Sequence, residues 1–367
     1  MTPHDPGGCP DVPSATTRPA HAETTACEPP RVRGLARDGV RLLVSRLSGG
    51  VIEHRVVADL PDLLRPGDLL VVNDSAVLPA AVRLDRLTVH FMAAREDGSW
   101  LIELRCRTGR PYPGGTKGEW LPLPGGATLR LLRRETSRAW RASFNRDVVP
   151  YLQRYGTARH LAHAPGDWPI DDYRPVFARV PGSTGVPAAG LAVSRGLLAL
   201  LGRRGVDIAV VTLHMAACTD GPLPPEWRAV PESTARRVIA ARRSGGQVVA
   251  VGASVMRALE SAVAEPEALA EPKALAEPKA PAEPEPEAFA EPERVRACAG
   301  WTAHTVGPDC PPQVVTGLIS GLRRPAPGRP SAVAAVAGDA LTERSYGEAV
   351  RERYLWREFG DVHLVCW

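Results

Sequence analysis

Residues 67–82, Gly-Asp-Leu-Leu-Val-Val-Asn-Asp-Ser-Ala-Val-Leu-Pro-Ala-Ala-Val, constrain the fold more than any other stretch. Leu69 to Val72 is an unbroken apolar run of strand length. Such a run is buried on both faces, as in a sheet covered by helices on either side. Asn73-Asp74-Ser75 then turns the chain with side chains that bond their own backbone. In open α/β sheets ligands bind at the C-terminal mouths of the strands, which makes Asn73 and Asp74 candidate substrate contacts. The plainer alternative is that they only stabilise their turn.

The rhythm of strands and helices extends this picture. Arg41 to Ser45 reads as a first strand, Ser48-Gly49-Gly50 as a turn and Val51 to Val57 as its return. Ser194 caps a helix over Arg195 to Arg204, and a strand over Asp207 to His214 follows. Glu232 to Arg243 (helix), Gln247 to Val251 (strand) and Ser254 to Val263 (helix) repeat the cycle. Alternation of this kind predicts an α/β domain with a largely parallel sheet, over 33–82 and 158–367. Residues 83–157 differ. Short alternating apolar runs between Gly/Pro turns predict a smaller inserted β-barrel-like domain. Gln313 to Arg324 reads as helical, Ser345-Tyr-Gly-Glu348 as a capping box opening a helix to about Phe359, and Asp361 to Trp367 as a last strand.

Two segments stand outside this order. Residues 1–32, rich in Pro, Thr, Ala and Gly, read as disordered. Residues 264–293 repeat Ala-Leu-Ala-Glu-Pro-Lys (268–273, 274–279), with a proline at least every six residues. No long helix survives that spacing, so the segment reads as an extended linker without a catalytic role.

Composition narrows the function. A chain of 367 residues, 44% hydrophobic and 23% charged, has the balance of a soluble globular protein. No apolar stretch reaches the roughly 20 residues of a membrane span, and no leader is evident, so a cytoplasmic monomer is expected. The seven cysteines form no Cys-x-x-Cys pair, and His160 with His163 is an isolated His-x-x-His; no metal is expected. No Gly-x-Gly-x-x-Gly follows a strand, which argues against a dinucleotide site. The net charge of +4 rests almost wholly on arginine, since lysine occurs only at 117, 273 and 279. Arginine suits phosphate, but this charge alone does not establish RNA binding.

Several side chains suggest chemistry. His214 ends a buried strand, where an imidazole facing a cleft can move protons near neutral pH; the alternative is a satisfied core histidine. Arg257 and Glu260 lie three apart at a helix start, either as an ion pair or with Arg257 over a ligand anion. Arg130, Arg133, Arg134 and Arg138, with Arg141 and Trp140, crowd one predicted hairpin. They are candidate RNA contacts, or a charged edge that discourages strand pairing.

The motifs together resemble one family, the S-adenosylmethionine:tRNA ribosyltransferase-isomerases of queuosine synthesis. The 67–82 run carries the resemblance first, with Ala76 and Ala81 where the family has arginines. Arg37-Asp38-x-x-Arg41-Leu42-Leu43-Val44, Tyr173-Arg-Pro-Val-Phe177 with Pro187-Ala-Ala-Gly-Leu-Ala-Val193, Val211-Thr-Leu-His-Met-Ala-Ala-Cys-Thr219, Ala250-Val-Gly-Ala-Ser-Val-Met-Arg-Ala-Leu-Glu-Ser261 and Tyr346…Tyr354 with Gly360-Asp361 follow in order. The resemblance implies ribosyl transfer from S-adenosylmethionine, as co-substrate, to the aminomethyl-deazaguanine of tRNA. Epoxyqueuosine would form, with release of adenine and methionine. Carried over by motif, it implies His214, Glu226 and Asp361 as catalytic, and Asn73, Asp74, Gly190, Thr219, Arg257 and Glu260 as substrate-binding. Departures are many. Ala188 and Ala192 replace threonine and histidine, Pro224 replaces histidine, and Ser320 to Pro325 lacks an asparagine and a histidine of the family pattern. A different acceptor for the ribosyl group, or a binding protein without catalysis, are the alternatives.

Overall fold

The computed structural model describes residues 24–159, 161, 163–217, 222–264, 295–324 and 329–367. The expected disorder of residues 1–23 and the 264–293 linker fall outside them, apart from Ala264 at a helix end. The rest of the expected disordered N-terminus is ordered: Thr24–Thr25 pairs with Leu355–Trp356, and Pro30–Arg33 forms a 3-10 turn.

Leu69–Asn73 lies in the middle of a nine-stranded sheet. The order is Cys298–Thr302, Glu226–Val230, Asp207–Leu213, Leu69–Asn73, Val248–Val251, Gly317–Gly321, Val362–Cys366, Arg41–Arg46, Ile52–Val56. Side chains alternate across a strand, and here both faces are covered. Leu69 and Val71 enter one core while Leu70 and Val72 enter the other; Val248 and Ala250 part from Val249 and Val251 in the same way. This explains the unbroken apolar runs. Helix Arg195–Arg203 buries Leu197 and Leu201 on one face, and its Ser194 cap accepts the Leu197 amide at 3.0 Å. Helices Glu232–Arg243 and Ala253–Ala264 cover the other through Val238 and Leu259.

Three further expectations for this domain need correction. The sheet is mixed: Asp207–Leu213, Leu69–Asn73, Val248–Val251 and Gly317–Gly321 run parallel in sequence, but the strands beyond them include antiparallel pairings. Gln313–Arg324 is not helical. Its Leu318 and Ile319 enter opposite cores, the signature of a doubly buried strand, and a short apolar run does not distinguish strand from helix. The last helix starts earlier, at Asp339, and ends at Arg351. Ser345 therefore sits mid-helix, bonding back to the Leu341 carbonyl at 2.7 Å, not capping. Beyond the helix, Arg353 and Arg357 take positive φ and turn the chain. Ser345 Oγ also meets Ser45 Oγ (2.7 Å), which meets Nε2 of the fully buried His363 (2.8 Å); burial drives that imidazole down to about 4.

Residues 81–144 form a six-stranded antiparallel sheet, ordered Ala81–Arg83, Leu87–Ala94, Trp100–Cys106, Ala139–Phe144, Ala127–Arg134, Trp120–Leu123. It does not close as a barrel, since the first and last of these are edges. One face packs Phe91, Ile102 and Leu129 against helix Val148–Tyr155. On the other face Met92, Ala93 and Leu101 cluster with Ala217, and the Ala217 amide donates to the Met92 carbonyl at 2.8 Å. The second sheet thus walls the chain just after His214. Among the described residues no helix is long and apolar enough to cross a membrane.

Candidate active site

The strand mouth is built by amide and hydroxyl groups. Asn73 Nδ2 donates to the Leu213 carbonyl at 2.9 Å, while Oδ1 accepts the amides of Leu213 (2.9 Å) and Ser75 (3.1 Å). It is a clamp across two parallel strands. Asp74 accepts from Thr212 Oγ1 at 2.6 Å, and its carbonyl takes the amides of Arg179 and Val180. Both residues therefore shape the mouth through the protein's own backbone.

The clamp delivers Ser75 to His214. Ser75–Val77 pairs in parallel with Val180–Ser183, so two serines distant in sequence meet: Ser75 Oγ lies 2.6 Å from Ser183 Oγ and 2.8 Å from His214 Nδ1. Ser183 Oγ in turn accepts the Met215 amide at 2.9 Å. The hydroxyls can rotate. With Nδ1–H donating to Ser75, and Ser75 to Ser183, the Nε2 lone pair is free to take a proton. Nε2 has no hydrogen-bond partner among the described residues. The imidazole stacks on Trp227, with ring centroids 5.1 Å apart and planes at 22°. Gly182 packs close against the ring, and only glycine fits there, since a Cβ would lie 2.4 Å from it. Burial lowers the His214 pKa to about 4, so it is neutral at pH 7.

His214 and Gly182 line a cavity of about 240 Å³ between the two sheets, walled by Ala93, Met215, Trp227 and Trp301 and edged by Thr184 and Glu226, with Ser75 and Ser183 behind the imidazole. Glu226 is buried; desolvation pushes its carboxyl up, and Arg257 and the Ala216 amide pull against that. Its two oxygens take the Ala216 amide (2.7 Å) and Arg257 Nη1 (2.5 Å). Arg257 also donates to the carbonyls of His304 (2.7 Å), Thr302 (3.1 Å) and Pro224 (3.3 Å). Four contacts on five N–H groups leave little for a ligand carboxylate. Arg257 ties its own helix to the 224–226 and 302–304 segments beside the cavity, and Glu260, three residues on, is not its partner.

The other candidate residues lie elsewhere. Glu260 accepts the amides of Gln313, Val314 and Val315 at 2.8 to 3.0 Å. Asp361 accepts those of Arg41 (2.9 Å) and Leu355 (2.8 Å), fastening the turn before the last strand. Burial raises both carboxyls while these amides lower them. Gly190 packs beneath Pro175 and Phe177, where a Cβ would be only 3.0 and 3.1 Å away. Thr219, like His160, lies outside the described residues. Sequence spacing missed Ser75, Ser183, Trp227 and Trp301. Of these, Ser75 carried a signal, in the polar turn after the buried strand.

Comparison with known proteins identifies the family of the chain as a whole. A family model described as queuosine biosynthesis protein matches residues 20–365. This chain belongs to that family. Proteins named S-adenosylmethionine:tRNA ribosyltransferase-isomerase are similar to it: one from Thermus thermophilus at 32% identity over 90% of this chain and 93% of its own, and one from Pelotomaculum thermopropionicum at 30% over the same shares. A solved S-adenosylmethionine tRNA ribosyltransferase from Thermotoga maritima shares 25% identity and covers 93% of this chain and 96% of its own, with a TM-score of 0.48.

Within the family pattern, the replaced positions Ala188 and Ala192 line a second cavity of about 170 Å³. The charged groups there are already matched. Arg31 chelates Asp172 at 2.6 and 2.7 Å, His163 meets Glu358 at 2.9 Å, and Arg37 donates to the carbonyls of Asp171, Arg174 and Leu191. The expected arginine hairpin is present as Ala127–Arg134 and Ala139–Phe144, but it is not uniformly basic. Arg133 pairs with Glu135 (2.9 Å), and Arg141 with Asp97 and Glu135. Arg130 instead lies over the exposed Trp120 ring and Arg134 over Trp140, at 5.4 and 4.6 Å. Arg138 sits in the turn between the two strands.

Proposed function

We propose that this chain transfers the ribosyl moiety of S-adenosylmethionine to the aminomethyl-deazaguanine of tRNA and isomerises it, releasing adenine and methionine. The observation that carries this is the extent of the likeness: relatives named for that reaction align over 90% of the chain. The cavity beside His214 supplies fitting chemistry. His214 Nε2 takes the proton removed beside the sulfonium, with Nδ1–H held by Ser75 and that hydroxyl by Ser183. Burial keeps the imidazole neutral, as a base must be, and the neighbouring sulfonium makes the departing proton acidic. Trp227, Met215 and Ala93 keep water from the reacting carbon. Glu226 and Arg257 act as positioning residues that fix the 214–226 segment. Asn73 and Asp74 hold the mouth, and Arg130, Arg134 and Arg138 give the tRNA backbone its first contacts.

A second reading, transfer to another acceptor, is favoured by one observation: Ala188 and Ala192 stand where the family's motifs carry threonine and histidine. Mass spectrometry after mixing the protein, S-adenosylmethionine and precursor-bearing tRNA decides between them. Free adenine and methionine with a matching gain of mass on the tRNA are expected; intact S-adenosylmethionine would overturn the proposal.

A further inference from the structure

The His214 cavity does not end at Glu226. Pro225 and Trp301 line it and also line a larger recess of about 560 Å³ that opens beside the arginine hairpin. Trp301 lies on the edge strand Cys298–Thr302, directly opposite Trp227 on Glu226–Val230. Directly paired residues of antiparallel strands project to the same face. His214, Trp227 and Trp301 therefore form one aromatic wall running from the imidazole to the recess. The recess itself has no net charge to offer a polynucleotide, because Arg95, Arg133 and Arg141 stand against Glu96, Asp97 and Glu135. At that junction recognition falls to the flat indole.

We propose that Trp301 is a positioning residue that stacks on the acceptor nucleobase of the RNA as it passes from the recess into the His214 cavity. This rests on the proposed reaction for the identity of the acceptor. The RNA base is favoured over the adenine of S-adenosylmethionine because Trp301 is the outer member of the wall, at the opening through which a polynucleotide arrives. Base–aromatic stacking at such sites changes affinity by about tenfold or more.

The test uses the full chain and a short RNA hairpin carrying fluorescent 2-aminopurine at its acceptor position, with S-adenosylmethionine binding measured in parallel. The wild type should quench the probe. Trp301→Leu, which keeps apolar bulk on the edge strand but removes the π face, should lose the quenching and bind the hairpin about tenfold more weakly, with S-adenosylmethionine affinity unchanged within twofold. Trp301→Phe should restore most of both. Unchanged hairpin binding and quenching in Trp301→Leu would overturn the inference, as would weakening of S-adenosylmethionine alone or of both ligands equally. Because the readout is binding, absence of adenine release by the wild type would sink the proposed reaction without touching this result.

Discussion

The His214 cavity and the one beside Ala188 and Ala192 are of similar size, about 240 and 170 Å³, yet they differ in what their polar groups have left to do. In the first, Ser75, braced by Ser183, and the Trp227 ring hold the imidazole, while its Nε2 has no partner among the described residues. In the second, Arg31 pairs with Asp172, His163 with Glu358, and Arg37 with backbone carbonyls, around an opening that Ala188 and Ala192 help to line. Volume alone would not separate the two. A cavity becomes reactive where one group is held in place and still lacks a partner.

Breaking the ion pair behind the first cavity should have the largest effect. Arg257→Ala strands Glu226 as a buried, uncompensated charge, and losses of about 3–5 kcal/mol are typical of such cuts. Denaturant unfolding should show it; a loss below about 1 kcal/mol would mean the pair is not holding the cavity. His214→Ala removes the proposed base and should reduce turnover at least about a hundredfold, roughly 2.7 kcal/mol in barrier, with the melting temperature little changed. Adenine release is the measure, and wild-type turnover would move the chemistry to the other cavity.

Acid should act through both buried histidines. His214 and His363 are held down to about 4, below the free value near 6.5. The unfolded chain then takes up protons that the folded chain refuses between pH 6.5 and 4. Stability is fully present above that window and lost as pH falls through it. At pH 5 a histidine kept wholly neutral forfeits about 2 kcal/mol relative to neutral pH. His363→Gln, which retains a hydrogen bond to Ser45, should flatten the fall in melting temperature between pH 7 and 5; an unaltered slope would exonerate the core histidine. The smallest effect belongs to the second cavity. Ala192→Val adds two methyl groups beside open space, so stability should shift by less than about 1 kcal/mol and turnover by less than twofold. A collapse of activity there would erase the contrast between the cavities.

The sequence made the central strands legible because a doubly buried strand needs an unbroken apolar run, and Leu69 to Val72 and Val248 to Val251 have one. Helix Glu232–Arg243 was equally plain, with Gly245 and Gly246 marking its end. Gln313–Arg324 was not, because its apolar residues fit either periodicity and only burial on both faces decides. The candidate site was half legible. His214 was marked by its place at a strand end, but Ser75 and Ser183 lie 108 residues apart and meet only through a three-residue parallel pairing. Arg257 and Glu260 invited an i,i+3 pairing, yet each side chain reaches away from the helix to a different loop. Local spacing says nothing about such partners.

The placement of Val362–Cys366 has a consequence for how the chain assembles. That strand lies inside the sheet and supplies the parallel neighbour of Arg41–Arg46, while Asp361 fastens the Arg41 amide from 320 residues away. During synthesis at about 5–20 residues per second, Arg41–Arg46 waits roughly 15–60 s for that edge to be occupied. Contacts of such long separation slow folding and leave strand edges open to wrong partners meanwhile. The nascent protein therefore has a window in which its first strands depend on chaperones or on speed, and slowing translation late in the message should lower the soluble yield without altering the finished enzyme.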